Sequence, residues 1–311
     1  MRLANEQRLQ RARTFDEIAD LYDQGRRAPP EWVFDTLFAE SQINERTAQV
    51  LEIGCGSGKS TLPIARRGAR VLALEMGANL VRIARQHLAG FPGVEVRCTR
   101  FEDWKPLPQF DLVLAITAWH WLDPAVRFQR AAAALKPRGI LAFTETAHVF
   151  PPGFDPFFEQ IQDSYEAIGV GRLPWPPPPP ETISDSRAEI EQSGLFDDVR
   201  IIRRVWTEEF TADEHVALMR TASDHRLMEP ARREWLFSEM KRLIEARPAG
   251  RVVKHNLTLL HLGAPSSPTG LDECKIADAL IEPVVHVIRL SGWMTEPLER
   301  SIRAVKLTAN A

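Results

Sequence analysis

The residues with the clearest capacity for chemistry are grouped in Leu51-Glu52-Ile53-Gly54-Cys55-Gly56-Ser57-Gly58. Glycines at this density let a ligand approach the backbone closely. The spacing is not that of a phosphate loop, which would need a glycine where Ile53 stands. It also departs from the dinucleotide fingerprint GxGxxG, whose third glycine would fall on Lys59. What remains is an acid followed by three alternate glycines. Placed at the carboxyl end of a strand, Glu52 would repel a pyrophosphate and attract a ligand that carries an ammonium.

Two further acids continue the pattern. Glu75 lies 21 residues after Gly54, at the end of the next strand. Acids that hold ribose hydroxyls in nucleoside-binding α/β folds stand at about this separation of ~20 residues. Phe101-Glu102-Asp103 follows the third strand; there the ring could stack on an adenine while the carboxylate accepts from its exocyclic amine. Each acid alone has a plainer reading as a solvated helix cap. Three at successive strand ends favour a ligand site.

The elements that would position these residues follow from periodicity. Residues 14–42 read as helix broken at Gly25–Pro30, with Phe15, Ile18, Ala19 and Tyr22 on one face and Thr14 with Glu17 as a capping box. Strands are expected at 50–53, 69–75, 94–98, 110–116 and 140–144, alternating with helices at about 60–67, through Leu80, Ile83, Ala84 and Leu88, and at 125–135, and with a turn at 136–139. That alternation predicts a doubly wound α/β sheet with right-handed crossovers. Residues 147–187 are rich in Phe and Pro, with Pro176–Pro180 extended, and read as a rigid connector or one wall of a lid. Strands at 199–206 and 252–260 bracket helical sequence over about 212–246. The composition of 263–270 is that of a linker, which sets off a C-terminal extension from residue 264 to 311. Its apolar residues, among them Leu280, Ile281, Val284 and Val285, suit packing on the chain's own surface or on a second copy as a homodimer arm.

Composition removes several classes. The chain has 311 residues, 44% of them hydrophobic and 26% charged, near ordinary globular averages. Its formal net charge of -3 gives no basic footprint for a nucleic-acid partner. Cys55, Cys98 and Cys274 are scattered and odd in number, which excludes a disulfide framework or CxxC metal site and suggests a reducing, cytoplasmic setting. No apolar run reaches the roughly 18–20 residues of a membrane span, and the N-terminus lacks a secretory apolar core. The eight His show no metal-ligand spacing, so no metal site is expected.

With these residues in view, 50–145 resembles the class I S-adenosylmethionine-dependent methyltransferases. The likeness rests on Glu52 to Gly58, Glu75-Met76, Phe101-Glu102-Asp103-Trp104, Phe110-Asp111-Leu112-Val113 and Leu135-Lys136-Pro137-Arg138-Gly139. Ala118-Trp119-His120-Trp121-Leu122-Asp123-Pro124 extends it to the small-molecule branch that includes trans-aconitate methyltransferases and actinobacterial relatives, as do Asp16–Arg26, Ser223–Arg226 and Val252-Val253-Lys254. The resemblance implies a Rossmann-like seven-stranded sheet over 1–263 with helical and Pro-rich cap insertions. It implies S-adenosylmethionine as cofactor, with Glu52, Gly54, Cys55, Gly56 and Gly58 forming the methionine loop. Glu75 would hold the ribose, Met76, Phe101 and Glu102 would contact the adenine, and Thr117 and Ala118 would approach the methionine part. Tyr22 and Arg26 would close over cofactor or substrate, although the family's YxxxRPxYP segment is altered here, with Arg27 at the first proline.

The implied reaction is methyl transfer to a small-molecule acceptor, with secondary metabolism as one setting. His120, just past the fourth strand, is the candidate general base; its alternative is packing between Trp119 and Trp121 or a bond to the cofactor. Trp119 and Trp121 are either pocket walls for a flat substrate or core. Glu145, His148 and His225 are substrate-site candidates whose alternative is a structural role. Two other readings compete: a cofactor-binding protein of the same fold without catalysis, and an NAD-dependent oxidoreductase, disfavoured by Lys59 and Glu52.

Overall fold

The computed structural model describes residues 2–106, 109–171 and 179–266. The C-terminal extension, with the homodimer arm expected there, lies outside the described residues, as does most of the proline run.

Seven strands form one sheet: β1 (Gln49–Ile53), β2 (Arg70–Glu75), β3 (Val94–Cys98), β4 (Phe110–Ile116), β5 (Leu135–His148), β6 (Phe196–Thr211) and β7 (Arg251–Pro265). Their order is β3-β2-β1-β4-β5-β7-β6. The first five strands pair in parallel, and β7 runs antiparallel between β5 and β6. The order reverses between β1 and β4, and a sheet of this kind opens its ligand crevice at the carboxyl ends of the strands beside such a switch point.

Strand periodicity divides the core into two. Val50, Val71, Ala73, Leu112 and Leu114 face one side, under α3 (Glu31–Ser41), α4 (Thr61–Arg66) and α5 (Ala78–His87), where Phe34, Ile64 and Ala84 are fully buried. Leu51, Ile53, Leu72, Leu74 and Val113 face the other, against Phe128 and Ala131 of α6 (Arg127–Ala134). Both faces are therefore apolar, as a buried parallel sheet requires. Pro63 falls in the first turn of α4, where its missing N–H costs nothing.

Beyond residue 146 the structure is more regular than expected. The 147–187 segment contains a helix, α7 (Phe157–Ala167), followed by α8 (Arg187–Gln192). The strands β6 and β7 are longer than expected and form a hairpin that pairs from Phe196 opposite Pro265 to Thr211 opposite Arg251. The expected linker at 263–270 thus starts inside a strand. Between the hairpin arms, α9 (Ala212–Arg220), α10 (Ser223–Arg226) and α11 (Pro230–Glu245) join α7 in a separate core of Phe157, Phe158, Phe210, Leu236, Phe237 and Met240. The expected turn at 136–139 survives as a register shift, because Phe110 pairs with Leu135 while Leu112 pairs with Ile140.

The N-terminus corrects one expectation. Thr14 is no cap: it lies inside α1 (Arg2–Glu17), and its hydroxyl donates to the Arg11 carbonyl at 2.6 Å. The helical spacing of Leu9, Ala12 and Phe15 carries the helix upstream. The chain breaks at Ile18 and continues as α2 (Ala19–Gly25).

Asp16 at the end of α1 instead caps another helix. Its Oδ1 accepts from the N–H groups of Asn79 at 2.8 Å and Leu80 at 3.0 Å, filling the N-terminus of α5. The preceding residue must be glycine, since a Cβ on Gly77 would stand 2.5 Å from that oxygen. Asp20 adds an ion pair to Arg82 at 2.9 Å. Asp16→Ala should therefore lower stability by about 1 kcal/mol, the usual value of a lost cap. Denaturant unfolding measures this, and limited proteolysis should release the α1–α2 segment earlier; Gly77→Ala should act in the same direction.

Candidate active site

A cavity of about 520 Å³ opens at the carboxyl ends of β1, β2 and β4, the position the switch point dictates. Its floor is the loop 53–57. Gly54 and Gly56 take φ of 68° and 56°, a left-handed backbone that glycine adopts without strain. A Cβ on Gly54 would lie 2.8 Å from the Ala118 Cβ, so the first glycine is also required by close packing. Thr117 follows β4 with φ of 51°, unusual for a β-branched residue. It is fixed there by its N–H, which donates to the carbonyl and hydroxyl of Thr144 at 3.2 and 3.0 Å.

Glu75 ties this floor to the wall. It is 8% exposed, and its carboxylate accepts from Gly56 N–H at 3.0 Å and Gly77 N–H at 2.9 Å. Burial raises its pKa while these N–H groups pull it down. Each carboxylate oxygen keeps a second lone pair for a hydroxyl donor. Met76 and the buried Phe101 line the adjoining wall. Glu102 also faces the cavity, accepting from Asp123 N–H at 2.9 Å and facing Arg100 at 3.4 Å. Phe15 and Tyr22 of α1 and α2 close the top; their rings meet edge-on at 5.6 Å, and Phe15 meets Trp121 at 5.5 Å.

Of the other expected residues, Cys55, Ala118, His120, Trp121, Arg26 and His148 line the same cavity. His120 packs against Trp121 at 4.7 Å. Its surroundings and the Arg127 charge hold its pKa below the ordinary histidine value, so it is neutral at pH 7.

Five expected residues lie elsewhere. Glu52 points beneath the loop, fully buried, with Oε1 accepting from Ser60 Oγ at 2.5 Å and Oε2 without a partner. Gly58, at φ 85°, faces α5, where a Cβ would meet Leu88 at 3.1 Å and Ala84 at 3.3 Å; it serves helix–sheet packing. Trp119 is core, stacked on Phe143 at 4.8 Å. Strand alternation turns Thr144, Thr146 and His148 into the cavity and Glu145 away from it, to the Ser186 hydroxyl at 3.1 Å. His225 belongs to the cap, where its Nε2 meets the Tyr165 hydroxyl at 2.7 Å.

Sequence reasoning missed the far wall. Trp206, Glu208 and Phe210 of β6 and Lys254, Asn256 and Thr258 of β7 line it. Their spacing of two is the strand signal that could have found them, given the register. Lys254 entered only through the resemblance. Lys59, noted only as a missing glycine, donates to the carbonyls of Asp23 and, at 2.6 Å, Arg26, and so fastens the chain after α2 over the glycine loop.

Comparison with known proteins bears on this geometry. Residues 51–143 match the family model described as a methyltransferase domain. The ubiquinone biosynthesis O-methyltransferase of Bradyrhizobium diazoefficiens is 36% identical over 95 residues, 30% of this chain and 38% of that protein. Its namesake in Xanthomonas axonopodis pv. citri is 32% identical over 121 residues, 38% of this chain and 50% of that protein. The chain thus spans half or less of the length of these curated relatives. A candidate type II methyltransferase of Anaeromyxobacter dehalogenans superposes with a TM-score of 0.53 at 20% identity, covering 77% of this chain and 97% of that one, which shows a shared fold. Over residues 51–143 the chain is thus similar to methyltransferase domains, and the resemblance read from the sequence implies S-adenosylmethionine as cofactor.

The residues present fit that cofactor. The bare backbone at Gly54 and Gly56, the fixed Glu75 carboxylate, and the apolar Met76, Phe101 and Leu122 supply surfaces for its amino-acid, ribose and adenine parts. Among the described residues no helix is long and apolar enough to cross a membrane, and no group of His, Cys, Asp and Glu is placed to hold a metal ion.

Glu52 yields a pH test. Burial raises its pKa, against the pull of the Ser60 hydroxyl. A carboxyl raised in the folded state contributes stability below its unfolded value, about 4.3, and that contribution is lost as pH rises through the folded value. Glu52→Gln keeps the neutral form at every pH. The melting temperature of the variant relative to wild type should therefore climb as pH is raised above the unfolded value of about 4.3; a flat or falling difference would show that folding does not raise the Glu52 pKa.

Proposed function

We propose that this chain transfers a methyl group from S-adenosylmethionine to a small-molecule acceptor. The observation that carries this reading is the unit of Gly54, Gly56 and Glu75, in which bare left-handed glycines and a buried carboxylate meet through the 3.0 Å bond from Gly56 N–H. When bound, the cofactor supplies a methyl group made electrophilic by its sulfonium. The protein then has to align the acceptor and exclude water. Gly54, Gly56 and Glu75 hold the cofactor, and Met76, Phe101 and Glu102 bound its base. Thr117 and Ala118 lie beside its amino-acid part.

Phe15, Tyr22 and Arg26 cover the reacting space, and Trp121 and His148 line the acceptor side. Neutral His120 takes the proton of an acceptor that attacks as an O–H or N–H; an acceptor already ionised needs no base. The acceptor is small because α1, α2 and the cap helices enclose the space.

Calorimetric titration with S-adenosylhomocysteine tests this reading. One-to-one binding in the micromolar range is expected, weakened at least tenfold by Glu75→Ala and abolished by Gly54→Val, whose side chain would enter the space now held by Ala118. Absence of binding, or a response to NADH in its place, would overturn it.

A further inference from the structure

A buried cation stands behind the turn that carries His120. Arg127 is the first residue of α6, and it is only 8% exposed. Its side chain folds back over the residues before it. Nη1 donates to the Trp119 carbonyl at 2.9 Å, and the guanidinium carbon lies 5.3 Å from the Trp119 ring and 5.4 Å from that of Phe128. Nη2 is bound by the carboxylate of Glu189 in α8. A guanidinium taken out of water needs such a partner, and the paired one is a rigid donor.

The bond to Trp119 matters because a peptide unit is planar. Holding the Trp119 carbonyl oxygen fixes the plane that ends at the Cα of His120. The turn over 119–121 is a single 3₁₀ turn, closed by Trp121 N–H to the Ala118 carbonyl at 3.0 Å and Leu122 N–H to the Trp119 carbonyl at 3.2 Å. Stacking on Phe143 places the Trp119 ring in the core, and Arg127 sets the peptide that follows it. Electrostatics add a second effect. Burial and then the Arg127 charge lower the His120 pKa. Other charges around the ring are balanced or distant in effect. From α1 the cavity receives Leu9, Ala12 and Phe15, none of which titrates. From β5 it receives His148, which is neutral because burial pushes its pKa to about 3. Arg100 and Glu102 face each other at 3.4 Å, and Tyr22 and Arg26 lie in the cover.

Resting on the methyl-transfer reading, we infer that Arg127 is the positioning residue for His120: through the Trp119 carbonyl it fixes the peptide that sets the imidazole on the cavity, and Glu189 of α8 holds it there. Arg127 does not line the cavity and touches no substrate. Its charge keeps the ring unprotonated, as a base must be before it acts. Once the ring has taken the proton of an acceptor O–H or N–H, it is a cation facing a fixed cation. The proton then passes to water, and the base is restored. Glu189 lies 62 residues beyond Arg127, so the segment after β5 takes part in setting a group that stands before it.

The test follows the His120 ring by NMR in the full chain with carbon-13-labelled histidine, the signal being assigned by its loss in His120→Gln. Wild type, Arg127→Met, Arg127→Lys and Glu189→Gln are titrated with acid and base. In Arg127→Met the His120 midpoint should rise toward the ordinary value of about 6.5. The displacement of its ring signals by the neighbouring Trp121 should also shrink as the turn relaxes. Arg127→Lys keeps the charge and a donor and should restore most of both. Glu189→Gln should move the midpoint the other way, below wild type, because the guanidinium has lost its counter-charge. A change that only loosened the fold would shift both in one direction. A midpoint unchanged in Arg127→Met, or moved in the same direction by Arg127→Met and Glu189→Gln, would overturn the inference. If Arg127→Met fails to fold, Glu189→Gln decides, since its side chain is 40% exposed and the replacement is nearly the same shape; a midpoint unchanged or raised there would overturn it. Binding of S-adenosylhomocysteine is measured in each protein. Its absence in wild type would sink the methyl-transfer reading, whereas a His120 signal that ignores Arg127 while binding persists would sink this inference alone.

Discussion

One buried carboxylate organises the half of the cavity that contains the glycine loop. Glu75 receives the N–H groups of Gly56 and Gly77, and so fixes the loop after β1 and the turn into α5 to the end of β2. From there the constraints run outward. Gly77 has room for Asp16 only because it lacks a side chain, and Asp16 holds the end of α1 on α5. The next helix carries Tyr22 and Asp23 over the cavity, and Lys59, from the glycine loop's own exit, reaches back to bind the backbone that follows. The floor and the cover of the cavity are thus one hydrogen-bonded circuit. A carboxylate desolvated to this degree is costly unless its oxygens are occupied, and the two N–H groups occupy them.

The far half of the cavity is built on different principles. It depends on the β6–β7 hairpin, whose alternate residues face the cavity while the intervening ones pack outward. Leu257 and Leu259 join Val149 on the outer side, and Lys254, Asn256 and Thr258 face in. The same two strands carry the cap, so the far wall of the cavity and the helices above it are continuous in the chain.

The parallel core was legible because its signals are local. The glycine spacing, the nearly continuous apolar run of 110–116 and the acids at strand ends mark the loops and strands within a few residues of each other. That Glu75, Phe101 and Glu102 come together on one cavity was legible for the same reason. Glu52 and Glu145 were not: strand position alone does not say to which face a side chain turns, and Glu52 turns into the buried space beneath the loop while Glu145 turns to the partly exposed side beside Ser186. Trp119 and His120 are adjacent, yet one is core and the other faces the cavity, a distinction made by the short helical turn over 119–121. The far wall was invisible because it needs the antiparallel register of two strands some forty residues apart, and that register is a long-range property. The same limit hid α1, whose helix began upstream of a Thr–Glu pair that has the form of a cap but lies inside the helix.

The pairing of Thr211 with Arg251 has a consequence for how such a protein can change. The cap leaves and re-enters the sheet at two neighbouring points, so its length and composition are free of the geometry below. Closing a longer excursion at a point already held by a hairpin adds only a small entropic cost, since that cost grows with the logarithm of length. The cap half of the cavity can therefore be remodelled as an interchangeable module, while the carboxylate circuit at the ends of β1 and β2 keeps its register. The two halves of the cavity are borne by separate stretches of one chain, and mutation can explore the cap half without unsettling the other.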